Sequence, residues 1–177
     1  MATLKRKLGK KVAPSNGIAI RAKAQEFRDA IGQRQPYVKV TALLEALQEV
    51  GFMDFEVVED HVLGEEEAVS YPDQGFMRIK RSIYDRAHAG DGHCRFTIAH
   101  ELGHLWMHQG QASYARGTTG EHKVYEDSEW QADTFASEFL IDQRLLPHGS
   151  TEYWISTTFG VSHSAANNRL RKFKQGK

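Results

Sequence analysis

Along the chain, stretches with apolar residues every third or fourth position alternate with shorter stretches rich in β-branched and aromatic residues. Between Gly17 and Ile31 the alanines, Ile20 and Phe27 fall at helical spacing, and Gly32 closes the run. "VTALLEALQEVGF" follows, with Leu43, Leu44 and Leu47 as an apolar stripe, Thr41 as the candidate N-cap and Gly51 as the stop. "FEVVED", "EAVSYP" and "GFMRIKRSIY" have turn signals between them and predict short strands of one sheet. "HAGDGH" reads as a turn, and a long helix is expected from about Arg95 to His108, ending near Gly110. "QASYARGTTGEHK", rich in glycine and threonine, reads as a loop. "DSEWQADTFASEFLI" predicts a further helix, capped by Asp127 or Ser128, with Trp130, Phe135, Phe139 and Leu140 turned to a core. Pro147, His148 and Gly149 break the chain, and "TEYWISTTFGVSHSAANNRLRKF" reads as helix, tight turn, helix.

These elements predict an α+β fold with a small mixed or antiparallel sheet. Residues 1–16 are basic, contain Pro14 and show little periodicity, so they are expected to be a flexible lead-in. A domain over 17–148 and a helical hairpin over 149–177 packed on it complete the division.

At 177 residues the chain can bury a sizeable core without disulfides. Its 40% hydrophobic and 26% charged residues place it among soluble globular proteins. A formal net charge of zero argues against a polyanion binder of the whole-chain kind. The basic runs "LKRKLGKK" and "RLRKFKQGK" and the acidic "EDHVLGEEE" are of the kind that ordinarily forms solvated faces. Cys94 is the only cysteine, which excludes an intrachain disulfide and fits a reducing cytoplasm. No apolar run approaches ~18 residues, so no membrane span is expected. The basic start has no apolar run behind it, so no secretory signal is expected.

"RFTIAHELGH" changes the picture. On a helix, residues four apart share a face, so His100 and His104 can point ring nitrogens at one cation. Glu101 sits about 100° further round. From there it can reach a water beside the ion without entering the shell, which gives two ligands and one general base. Ile98, Leu102, Leu105 and Trp106 give this helix an apolar back, and Gly103 permits a close approach by another element.

Two imidazoles do not hold a catalytic metal; a third protein ligand is needed. His108 is one more turn along, about 12 Å from His100 on the axis, and each step of four drifts a further ~40°. A helix-end role suits it better. Glu129 opens the later helix and can be carried to the two histidines by a helix crossing; Glu126 and Glu138 compete with it. Asp133, four residues after Glu129, is placed to accept a hydrogen bond from His100 or His104. Two histidines and a glutamate suit zinc best, with manganese or iron as alternatives. Cys94, at the start of the first helix, is expected to be a buried thiol.

"RFTIAHELGHLWMH" followed by "EWQADTFASEFL" resembles the ImmA/IrrE metallopeptidases. The likeness extends to "AIRAKAQEFRDAIG", "VTALLEALQEVGF" and "FGVSHSAANNRLRKF", or roughly Gly17 to Phe173. It implies a zincin-like fold and a cytoplasmic endopeptidase of bacteria or phage that cleaves a helix-turn-helix repressor and so releases the genes it silences. By position it implies His100, His104 and Glu129 as metal ligands and Glu101 as the base. Asp133 stands where the family usually has Asn, and "FLIDQRLLP" where it usually has "LLMP".

Oxyanion donors are sought in Tyr114, Arg116, His122 and Tyr125, and the substrate is expected to lie extended along a sheet edge offered by "GFMRIKRSIY". The closing hairpin allows a second function. With Gly160 in the turn, Ser162 as a cap, and Arg169, Arg171, Lys172 and Lys174 after it, it is a candidate to read DNA or dock a repressor without proteolysis. Ala165, Ala166, Leu170 and Phe173 equally offer a face for packing on the domain.

Overall fold

A computed structural model describes residues 8–111 and 122–174. Helix α1 (Gly17–Ala30) starts where the Asn16 side chain accepts a hydrogen bond from the Ala19 N–H, and it buries Ile20, Ala24 and Phe27. Helix α2 (Val40–Glu49) begins one residue ahead of the expected cap. Thr41 is therefore inside the helix, and its hydroxyl pairs with His88 Nδ1 at 3.1 Å instead.

Strands β1 (Asp54–Val58), β2 (Ala68–Tyr71) and β3 (Phe76–Lys80) form one sheet. β3 lies in the middle, parallel to β1 and antiparallel to β2. The sheet is mixed and the fold is α+β. Because β3 is paired on both sides, it offers no edge to a substrate, contrary to expectation; the edges belong to β1 and β2. β3 is also shorter than its sequence suggested. "RSIY" begins helix α3 (Arg81–His88), where Ile83 and Ala87, four apart, are the buried positions.

Helix α4 (Gly92–Met107) starts three residues before Arg95, because the Asp91 carboxylate caps it by accepting the Cys94 N–H at 3.0 Å. Helix α5 (Ser128–Leu140) is capped in the same way by Asp127, which accepts the Trp130 N–H at 2.9 Å. α4 lies between β2 and α5, and α5 packs in turn on α1. Phe27 ties these helices together, with ring centroids 4.8 Å from Trp106 and 5.4 Å from Phe139. At the α4–α5 crossing a Cβ on Gly103 would stand 2.9 Å from Phe135 Cδ1 and 3.2 Å from its Cβ. The helices approach as closely as they do because that position lacks a side chain.

Residues 9–15 are not the flexible lead-in expected. The Gly9 N–H donates to Asp127 Oδ2, the Lys10 N–H to Ser128 Oγ, the Val12 N–H to the Glu126 carbonyl and the Ser15 N–H to the Tyr125 carbonyl, all at 2.8–2.9 Å. The segment is held through its backbone, which apolar periodicity does not reveal.

Helices α6 (Glu152–Phe159) and α7 (His163–Lys174) form the closing hairpin. Gly160 between them takes φ +63°, and a side chain there would run into Tyr37 and Arg95. Arg169 does not join a basic recognition face. It is fully buried, with Nη1 and Nη2 donating to Glu138 Oε1 and Oε2 at 2.6 and 2.5 Å, and Arg21 Nε reaches the same carboxylate at 3.1 Å. Burial lowers the Arg169 pKa, and Glu138 opposes that shift. Among the described residues no helix is long and apolar enough to cross a membrane.

Three stability outcomes follow from this packing. Glu138→Ala strands a buried guanidinium and should cost about 3–5 kcal/mol in urea denaturation; replacing Arg169 by Met in the same chain should recover part of it. Gly103→Ala should lower stability by about 1–2 kcal/mol, because overpacking at about 1–3 kcal/mol outweighs the roughly 1 kcal/mol returned by helix propensity. The Cys94 N–H and then Arg86 hold the Asp91 carboxyl at about 2, below the ordinary 3.8. Its ionised cap therefore stabilises the fold above about pH 4 and fades as pH falls toward 2. Asp91→Ala should remove about 1 kcal/mol at pH 7 and flatten acid denaturation in that window.

Candidate metal centre

One turn of α4 brings the rings of His100 and His104 together, with centroids 4.8 Å apart and Nε2 atoms separated by 3.0 Å. Glu129, in the first turn of α5, meets them from across the crossing. Its Oε2 is 3.3 Å from His100 Nε2 and its Oε1 is 3.3 Å from His104 Nε2. Donors of a tetrahedral shell with bonds of ~2.0–2.1 Å are roughly 3.3–3.4 Å apart. The three side chains thus hold nearly the spacing a zinc ion requires, and they form the candidate cation cluster among the described residues. The competing glutamates are engaged elsewhere. Glu126 accepts the Lys123 N–H and pairs with Lys11, while Glu138 is bound to Arg169 and Arg21.

Each imidazole is oriented through its other nitrogen. His100 Nδ1 is 2.8 Å from Asp133 Oδ1, which turns its Nε2 toward Glu129. His104 has a different partner: its Nδ1 is 2.9 Å from His108 Nδ1. His108 is not in the triad. It is buried beside Gln131, with its Nε2 3.1 Å from Gln131 Oε1.

The electrostatics reflect this arrangement. Burial would lower the His100 pKa, but hydrogen bonds to Asp133 and Glu129 overcome it and carry the ring up to about 10. Hydrogen bonds from His100 and His104 hold the Glu129 carboxyl well below the usual range. Carboxylate and imidazoles are therefore poised around a positive charge, for which a proton and a metal ion compete. Burial, then the neighbouring His104, push His108 down to about 4, so it is neutral at pH 7.

Glu101, next to His100 on α4, is turned toward the sheet. Its Oε2 accepts a hydrogen bond from Ser70 Oγ at 2.5 Å. Ser70 is on β2, on the same side of the strand as buried Ala68. Its role carries no sequence signature, since a serine in a short strand is unremarkable until the sheet places it over α4. Glu101, His104 and Glu129 share a cleft of about 370 Å³ with Ser70, Lys11 and Val12. The N-terminal segment thus helps to line the site, and a Cβ on Gly9 would lie 2.6 Å from Glu129 Cγ.

Of the expected oxyanion donors, His122 is engaged by Asp127 at 2.6 Å, and the Tyr125 ring lies beside the Lys123 ammonium. Tyr114 and Arg116 lie outside the described residues. Cys94 is fully buried, and burial followed by its Asp91 hydrogen bond pushes the thiol up to about 11. It is an inert core residue, remote from the ligand chemistry.

Comparison with known proteins fits this geometry. No match was found among curated proteins. Among solved structures, a Mycobacterium tuberculosis transcriptional regulator superposes with a TM-score of 0.57 at 18% sequence identity. The match covers 85% of this chain and 46% of that one, so this chain spans less than half of its neighbour's length, and the likeness is one of fold. The family model of the IrrE N-terminal-like domain, that of the M78 peptidases, matches residues 57–171, which include both helices of the triad. The chain belongs to the IrrE N-terminal-like family of M78 metallopeptidases.

Proposed function

We propose that the protein is a cytoplasmic, zinc-dependent endopeptidase that cleaves a helix-turn-helix repressor and thereby switches on the genes it silences. The observation that carries the catalytic part is the convergence of His100 Nε2, His104 Nε2 and the Glu129 carboxylate at shell spacing beside Glu101. The regulatory part rests on the resemblance to ImmA/IrrE peptidases, and a transcriptional regulator among the structural neighbours supports that setting.

In this reading His100, His104 and Glu129 hold the ion. When bound, the ion supplies Lewis acidity that brings the pKa of a water toward neutrality and polarises the scissile carbonyl. Glu101 accepts the water's proton through Oε1, because Ser70 occupies Oε2, and hands it to the leaving amine. Asp133 keeps the His100 ring in register. The substrate lies extended against β2, the edge strand that carries Ser70, and main-chain hydrogen bonds to that edge align the peptide. Arg169, enclosed by Glu138, ties the closing hairpin to α5 as a buttress.

The test is incubation with a candidate repressor, with and without chelator, alongside elemental analysis. Wild type should carry one zinc per chain and cut; chelator should stop it. Glu101→Gln should keep the zinc and lose about 10²–10⁴-fold in rate. A Gln variant that cuts as fast as wild type would remove Glu101 from the mechanism.

A further inference from the structure

His108 is buried and takes no part in the chemistry above, yet its surroundings fix the direction of every hydrogen bond around it. Gln131 Nε2 donates to the Ala13 carbonyl and the Tyr125 carbonyl, both at 2.8 Å. Both amide hydrogens are then used, and Gln131 Oε1 can only accept. His108 Nε2, 3.1 Å from that oxygen, is the donor. A neutral imidazole that donates through Nε2 accepts through Nδ1. His104 Nδ1, 2.9 Å away, must donate to it. With its hydrogen on Nδ1, a His104 ring that is neutral, as a metal ligand must be, presents its lone pair on Nε2, the atom facing His100 and Glu129.

The same assignment is reached from the metal side. A histidine that ligates through Nε2 carries its hydrogen on Nδ1 and needs an acceptor there. Carboxylates and backbone carbonyls are the common acceptors; Asp133 is such a partner for His100. Among the described residues the partner of His104 Nδ1 is not a carboxylate. A second imidazole stands there, held in the accepting form by an amide that is itself locked to two backbone carbonyls.

We propose that His108 is the positioning residue for the ligand His104, and that Gln131, held by the N-terminal segment and the turn before α5, sets it for that task. The inference rests on the reading of His100, His104 and Glu129 as a metal site. The two ligands are then supported unequally: His100 by a carboxylate open to solvent, 61% exposed, and His104 by a buried chain that ends on Ala13. Zinc affinity becomes sensitive to residues that touch neither the ion nor the substrate.

The experiment uses the full chain. In zinc-loaded protein labelled with ¹⁵N-histidine, long-range NMR should find the His108 hydrogen on Nε2 and the His104 hydrogen on Nδ1. His108→Leu should raise the zinc dissociation constant, measured by chelator competition, about 10–100-fold. His108→Asn should recover most of that loss, because its amide can accept from His104 and donate to Gln131. A structural role alone would make both variants follow thermal stability instead. Zinc binding by a folded His108→Leu within twofold of wild type, or a hydrogen found on His108 Nδ1, would overturn the proposal. If His108→Leu does not fold, the wild-type spectrum and the Asn variant decide it. Wild type that takes up no zinc would overturn the metal site and this inference with it; unchanged affinity in the variants would overturn the inference alone.

Discussion

Gly103 has no side chain, and Phe135 fills the place where one would be. This contact sets the separation of α4 and α5, and that separation sets everything at the site. Glu129 is useful because the crossing delivers its two oxygens 3.3 Å from two imidazole nitrogens on the other helix. Neither helix carries the site alone. The aromatic cluster of Phe27, Trp106, Phe135 and Phe139 supplies the apolar burial that holds the crossing, and the polar triad stands at its rim. Side chains that converge on one charge repel or hydrate one another unless packing elsewhere offsets that cost.

The polar groups around this centre are layered. Innermost are three donors with a charge deficit between them. Outside them Asp133, His108 and Ser70 contact, in turn, His100, His104 and Glu101. Outside these lie Gln131 and the backbone of the N-terminal segment. Orientation in such a site is inherited inward, from backbone carbonyls that cannot rotate to imidazoles that could.

Much of this was legible in the sequence where the physics is local. His100 and His104 share a face because of helix geometry, and Glu129 and Asp133 share one for the same reason, so the spacing of two pairs sufficed to nominate them. The α+β class followed from the alternation of apolar periods. What was not legible depends on tertiary placement. "GFMRIKRSIY" shows the β-branched and aromatic content of a strand, and only the structure reveals that Ile83 and Ala87 turn it into a helix and that its first half is central rather than an edge. Arg169 looks like a phosphate contact until Glu138 is found beside it. His108 was set apart from the triad on distance, and its partner could not be read, because the Gln131 amide beside it is itself held by the Ala13 carbonyl, more than a hundred residues away.

The N-terminal segment has a consequence for the order in which the molecule is made. Gly9 and Lys10 pair with Asp127 and Ser128 across 118 residues of chain. Contacts of such sequence separation carry a large loop-closure cost and form late in folding. While the chain is being synthesised, Gly9 and Lys10 lack these partners until α5 has emerged, and α5 is also what brings Glu129. The wall of the cleft and the third member of the triad are therefore completed together, after α4 has already been made.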